Sequence, residues 1–135
     1  VIGRPGVMSY EKPREDLMKV LQEIESSTDL EACAIVTKEG LRIAHATGTN
    51  TDADIFSALT AVLLSMGYKA VSEMGHGDLK ELIVRGTEGY TIVTSIDDEH
   101  VLVGAGRNPI RIGYSALVLR KYALNIASLL KKETT

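Results

Sequence analysis

The stretch from Asp52 to Met74, DADIFSALTAVLLSMGYKAVSEM, contains no proline and a single glycine, Gly67. At ~1.5 Å per residue it makes a helix of roughly 34 Å, about the width of a small domain. With successive residues turned by about 100°, Phe56, Leu59, Leu63, Met66, Ala70 and Met74 share one face, which is expected to lie on the core. Apolar character continues round both flanks, with Ile55 and Val62 on one side and Thr60, Leu64 and Val71 on the other. The remaining strip, Asp54, Ser57, Ala61, Ser65, Tyr68 and Ser72, is mostly small. A helix needs only about 100° of apolar surface to sit on a core, and this one presents roughly 200°. A chain of 135 residues is too short to surround it, so a partner subunit is expected to cover part of it.

The rest of the chain reads as elements arranged about that helix. Residues 1–12, with Gly3, Pro5 and Gly6 and no periodic pattern, read as a flexible leader. Pro13 suits the first turn of a helix in which Leu17, Val20, Leu21 and Ile24 recur at helical spacing. From Glu31 the period shortens. EACAIVT and LRIAHA flank Lys38-Glu39-Gly40, a hairpin whose three-residue loop needs the positive φ of Gly40. Thr51 or Asp52 can cap the long helix, and Gly75 and Gly77 can end it. Three strands follow, Leu79 to Arg85, Tyr90 to Ile96 and His100 to Ala105, separated by hairpin-length turns. Both alternating sets are apolar in several of them, as with Leu82 and Val84 against Ile83, which predicts a sheet covered on both faces. A last amphipathic helix runs from about Gly113 to Lys132.

The order α-β-β-α-β-β-β-α predicts an α+β sandwich occupying residues 13–132, a five-stranded antiparallel sheet with the long helix on one face and both terminal helices on the other. One helix is ~10 Å wide and strands lie ~4.8 Å apart, so the single-helix layer is incomplete in a monomer. A second copy of the long helix beside the first would complete it, giving a two-fold homodimer. On this reading Thr60, Leu64 and Val71 form the flank that meets the second subunit. The outer strip of Ser57, Ala61, Ser65, Tyr68 and Ser72 is left for a further partner, with Tyr68 as an aromatic anchor.

The residues that carry chemistry are sparse. His45, His76 and His100 lie at no ligand spacing, and one cysteine, Cys33, supports neither a zinc motif nor an intrachain disulfide, so no metal or other cofactor is expected. Ser95, Asp97 and His100 are close in sequence, but they flank a hairpin turn where polar residues belong anyway. Gly104-Ala105-Gly106-Arg107 lacks the lysine of a phosphate loop. Arg42, Arg85, Arg107 and Arg111 could each act on a partner's phosphates or be ordinary surface arginines. A net charge of -3 without a basic cluster longer than Lys131-Lys132 argues against nucleic acid as a partner. No apolar run reaches the roughly 20 residues of a membrane span, and a cytoplasmic, non-enzymatic protein is expected.

EACAIVTKEGLRIA, the Asp52 to Met74 helix, ELIVRGTEGYTIVTSIDDEHVLVGAG and the closing helix together resemble a Roadblock domain, the dynein light chain family, from about Leu17 to Leu130. The resemblance implies a homodimer in which the long helices pair and the strand Leu79 to Arg85 joins its copy, which adds Leu82 and Val84 to the interface. It also implies binding of a small Ras-like GTPase, as regulator or scaffold, with no catalytic residue of its own. The alternative is a structural adaptor of dynein light chain type that holds peptides or complexes independently of nucleotide. A ligand-enclosing enzyme or sensor would need a polar-lined pocket, for which the sequence offers no convergent cluster.

Overall fold

The computed structural model of the chain describes residues 14–47 and 52–133. Pro13, the leader and Thr51 lie outside the described residues. The elements are α1 (Glu15–Ser27), β1 (Leu30–Thr37), β2 (Arg42–Thr47), α2 (Ala53–Glu73), β3 (Glu81–Gly86), β4 (Gly89–Ser95), β5 (His100–Gly106), a 3-10 turn (Pro109–Arg111) and α3 (Ile112–Glu133). The five strands form one antiparallel sheet in the order β2-β1-β5-β4-β3. α1 and α3 cover one face and α2 the other, as the element order predicts.

Local signals set the boundaries. Gly40 sits at φ +97° in the β1–β2 turn, where the Thr37 carbonyl accepts from the Gly40 N–H at 2.9 Å. Asp52 caps α2, its Oδ1 accepting from the N–H groups of Asp54 and Ile55 at 3.0 and 3.2 Å. Gly75 and Gly77, at φ +68° and +86°, turn the chain out of that helix. At the start of α1 the Arg14 guanidinium beside Asp16 holds that carboxyl below its usual range.

Alternation along the central strands builds two cores. Cys33, Ile35, Ile92 and Leu102 face α1 and α3, where they meet Leu17, Leu21, Ile24, Leu119 and Ile126. Ala34, Val36, Val93, Val101 and Val103 face α2 and meet Leu64 and Leu79. Cys33 is fully buried and donates to the Leu21 carbonyl at 3.4 Å. Burial pushes its thiol well above the ordinary range, and the neighbouring Glu25 carboxylate acts in the same direction.

A polar knot pins the two ends of this frame. The Tyr90 hydroxyl donates to Asp29 Oδ1 at 2.7 Å and lies 2.8 Å from Ser115 Oγ, while Asp29 Oδ2 accepts from the Asn108 N–H at 3.3 Å. The ring has room because its strand partner is Gly106, where an added Cβ would fall 2.7 Å from the Tyr90 oxygen.

Three expectations are corrected. The face of α2 on the core is Ser57, Thr60, Leu64 and Gly67, with Phe56, Tyr68 and Val71 packed beside it, and Leu59, Met66, Ala70 and Met74 are exposed. Hydroxyls can occupy that face because Ser57 Oγ donates to the Ala53 carbonyl at 2.8 Å and Thr60 Oγ1 to the Phe56 carbonyl at 2.9 Å. Secondly, β4 and β5 are covered on both faces, but β3 is an edge strand whose Ile83 and Val84 stay exposed. Thirdly, α2 is long and apolar enough, by length and composition, to cross a membrane. In the fold it forms one layer of the sandwich.

Burial raises the Tyr90 phenol to about 12. Its neutral form therefore contributes stability below pH ~10, where an unfolded tyrosine ionises, and that contribution is lost as pH rises toward about 12. Tyr90→Phe should cost about 1–3 kcal/mol at neutral pH. In urea melts the deficit should shrink above pH ~10.

Candidate functional site

One uncovered apolar surface belongs to α2 and β3. On α2 the residues turned away from the sheet are Ile55, Leu59, Val62 and Met66, each more than half exposed. Their spacing of four, three and four residues draws a straight ridge along the helix. Small residues on the opposite side explain why this ridge faces out. Gly67 brings the helix close enough that an added Cβ would meet Leu79 at 3.0 Å, and Gly40 in the β1–β2 turn approaches Ala61 almost as closely. Packing distance, not apolarity, selects the face.

β3 adds a second component. It pairs only with β4, so its other side offers unpaired backbone N–H and C=O groups. Leu82 is half-buried against the α2-side core, whereas Val84, two residues on and on the same face, is exposed. At the strand's start Glu81 holds Arg120 of α3 in a two-pronged ion pair at 3.0 and 3.2 Å.

The residues expected to meet a second subunit therefore divide. Thr60 and Leu64 are buried against the chain's own sheet at 1% and 3% exposure, and Val71 is half-buried beside them. Leu82 and Val84 lie on β3 as placed. Of the strip expected to bind a partner, Ser57 is buried at 2% exposure, Ala61 is half-buried and Ser65 and Ser72 are exposed. Tyr68 is half-buried against the α2-side core, with the Lys38 ammonium 5.1 Å above its ring. The ridge of Ile55, Leu59, Val62 and Met66 is what sequence reasoning missed as a surface, because it counted these residues toward the core or its flanks.

The remaining polar groups serve the fold. Asp97 Oδ1 accepts from the N–H groups of Glu99 and His100, and from or shared with His100 Nδ1, all at 2.8 Å, which closes the β4–β5 turn. Burial alone would raise the Asp97 carboxyl, but these hydrogen bonds outweigh it and hold the carboxyl down. Arg42 pairs with Asp54 and Arg107 with Glu31, each at 3.2 Å. Arg111 lies over the Tyr114 ring at 5.4 Å, and Arg85 is exposed on β3. Burial lowers the His45 imidazole, and the Arg42 charge lowers it further. Among the described residues no three His, Cys, Asp or Glu side chains are grouped to hold a metal.

Residues 17–104 match the sequence model of the Roadblock/LC7 domain, about two-thirds of the chain. The chain belongs to the Roadblock/LC7 family. A Methanocaldococcus jannaschii protein, MJ1340, is 22% identical over 111 residues, covering 82% of this chain and 96% of that protein. Among solved structures, the gliding protein MglB from Thermus thermophilus superposes with a TM-score of 0.82 at 17% identity, covering 91% of this chain and 94% of that one. Myxococcus xanthus MglB gives 0.81 at 17% identity, covering 90% and 99%. At these identities the structural likeness establishes the fold. Within that Roadblock/LC7 fold, the ridge of α2 is exposed and β3 is paired on one side alone.

Because Tyr68 packs on the core under Lys38, truncating it acts on the fold as well as on any partner. Tyr68→Ala should lower stability by about 1–2 kcal/mol, read in a urea titration. An unchanged midpoint would show that the ring is not part of the core.

Proposed function

We propose that the chain is a non-enzymatic homodimer that binds a small Ras-like GTPase in the cytoplasm and regulates or scaffolds it. The observation that carries this reading is the α2 ridge beside an unpaired β3 edge, on a Roadblock/LC7 fold. Two copies related by a two-fold axis would lay ridge against ridge and β3 against β3, so both uncovered features are satisfied in one contact. The interface is then Ile55, Leu59, Val62 and Met66 with Leu82 and Val84, while Thr60, Leu64 and Val71 support it from beneath. The Roadblock/LC7 match and the MglB-like fold support the choice of partner, which the family resemblance implies. The GTPase would sit on the outer strip at the exposed Ser65 and Ser72, with the half-buried Ala61 and Tyr68 beside them.

Val62→Arg should convert a dimer into a folded monomer, since burying an unpaired charge costs about 3–5 kcal/mol. Sedimentation equilibrium reads the mass, and circular dichroism checks the fold at this exposed position. A variant that remains dimeric would remove the ridge from the interface.

The GTPase reading is tested by titrating small GTPases of the same organism, loaded with GDP or a non-hydrolysable GTP analogue, against the protein. Binding should differ at least tenfold between the two nucleotide states. Equal binding in both would favour the adaptor reading, and no binding in either would end the GTPase reading.

A further inference from the structure

The helix on the other face of the sheet carries its own unused surface. α3 is seated through Ser115, Ala116, Leu119, Ala123 and Ile126, all buried. Its far side presents Tyr114, Leu117 and Leu124, continued upstream by Ile110 of the 3-10 turn, with exposures of 46%, 60%, 76% and 86% respectively. Together with Lys121 these positions alternate in steps of four and three, the seam pattern by which one helix receives another. The seam is roughly 21 Å long at helical rise. Arg111, stacked over Tyr114, steadies its first aromatic.

Charge identifies what would lie on it. From Arg107 to Lys132 the sequence holds six basic residues and no acidic one, leaving nine Lys and Arg against all 18 Asp and Glu elsewhere in the chain. Arg107 and Arg120 are paired with Glu31 and Glu81, so the sign along the seam is set by Arg111 and Lys121, and a second α3 would bring Lys121 against the same sign. An anionic lipid surface would match the sign but not the shape. The apolar stripe is only about 80° wide and is interrupted by Lys121, whereas helices that lie in a membrane interface bury a continuous apolar face.

From this pairing of seam and charge we infer that the outer face of α3 docks an acidic amphipathic helix of a partner protein. The partner's apolar residues recur at three and four, its flanks carry Asp or Glu, and one carboxylate faces Lys121. The site lies on the sheet face opposite α2, so both surfaces can be occupied together.

The probe is a fluorescent three-heptad helical peptide with leucine at the seam positions, glutamate on both flanks and one central seam glutamate. Fluorescence anisotropy should show binding to the full chain that weakens at least tenfold in Leu117→Glu and in Lys121→Glu. A peptide with lysine at the central seam position should restore binding to Lys121→Glu, a readout that simple misfolding would not give. Both positions are exposed, so melting temperature and sedimentation mass should stay at wild-type values. Failure of the wild type to bind, equal binding by the variants, or absent restoration would overturn the inference. So would a fall in oligomer mass in Leu117→Glu, which would make the occupant a second copy. Tighter binding to phosphatidylcholine–phosphatidylserine vesicles (seven to three) than to the peptide would overturn it in favour of a membrane.

Discussion

The close seating of α2 on the sheet decides what this molecule offers to others. Ser57 and Thr60 return their hydroxyl protons to carbonyls one turn back, so they enter the contact without an unmet hydrogen bond. Gly67 then lets Leu79 approach where any larger residue would hold the helix off. Once the small side is committed to the sheet, helical geometry sends Ile55, Leu59, Val62 and Met66 outward. Fully covering a side chain of this kind is worth roughly 1.5–3 kcal/mol, so covering the ridge in the proposed dimer would supply a driving force for association.

The second face depends on a different device. Asp29, at the entrance to β1, accepts from Tyr90 of β4 and from the backbone N–H of Asn108, and Ser115 of α3 lies within reach of the same carboxylate. One carboxylate thus fixes where the chain leaves the sheet and how α3 begins. Asn108 adds its own cap, Oδ1 accepting from the Ile110 N–H at 3.1 Å. The orientation of Ile110 and Tyr114, and of the seam that follows them, is inherited from this knot.

Element order, turn positions and layering are legible in the sequence because they rest on local signals. Gly40, Gly75 and Gly77 adopt the positive φ that their turns require, and Asp52 caps the helix that follows it. The inward face of α2 is not legible from a helical wheel, which weighs apolarity but not the distance at which two backbones can pack. A wheel scores Ser57 as polar, blind to the Ala53 carbonyl that satisfies it. β3 misleads in the opposite way, since an apolar strand reads the same whether its own chain or another covers it. The Asp29, Tyr90 and Ser115 knot joins residues 61 and 25 positions apart and leaves no periodic trace.

The two borders of the sheet are unequal. β2 ends it with Arg42 and His45 and a break in register between Ile35 and Val36 of its neighbour β1, whereas β3 pairs regularly with β4 from Glu81 to Gly86 and carries no proline. In the proposed dimer the chain would, in polymer terms, have a valence of one. Joining two copies edge to edge would consume both β3 borders and leave only the interrupted ones outside, so growth would stop at a pair and not run on into a fibre.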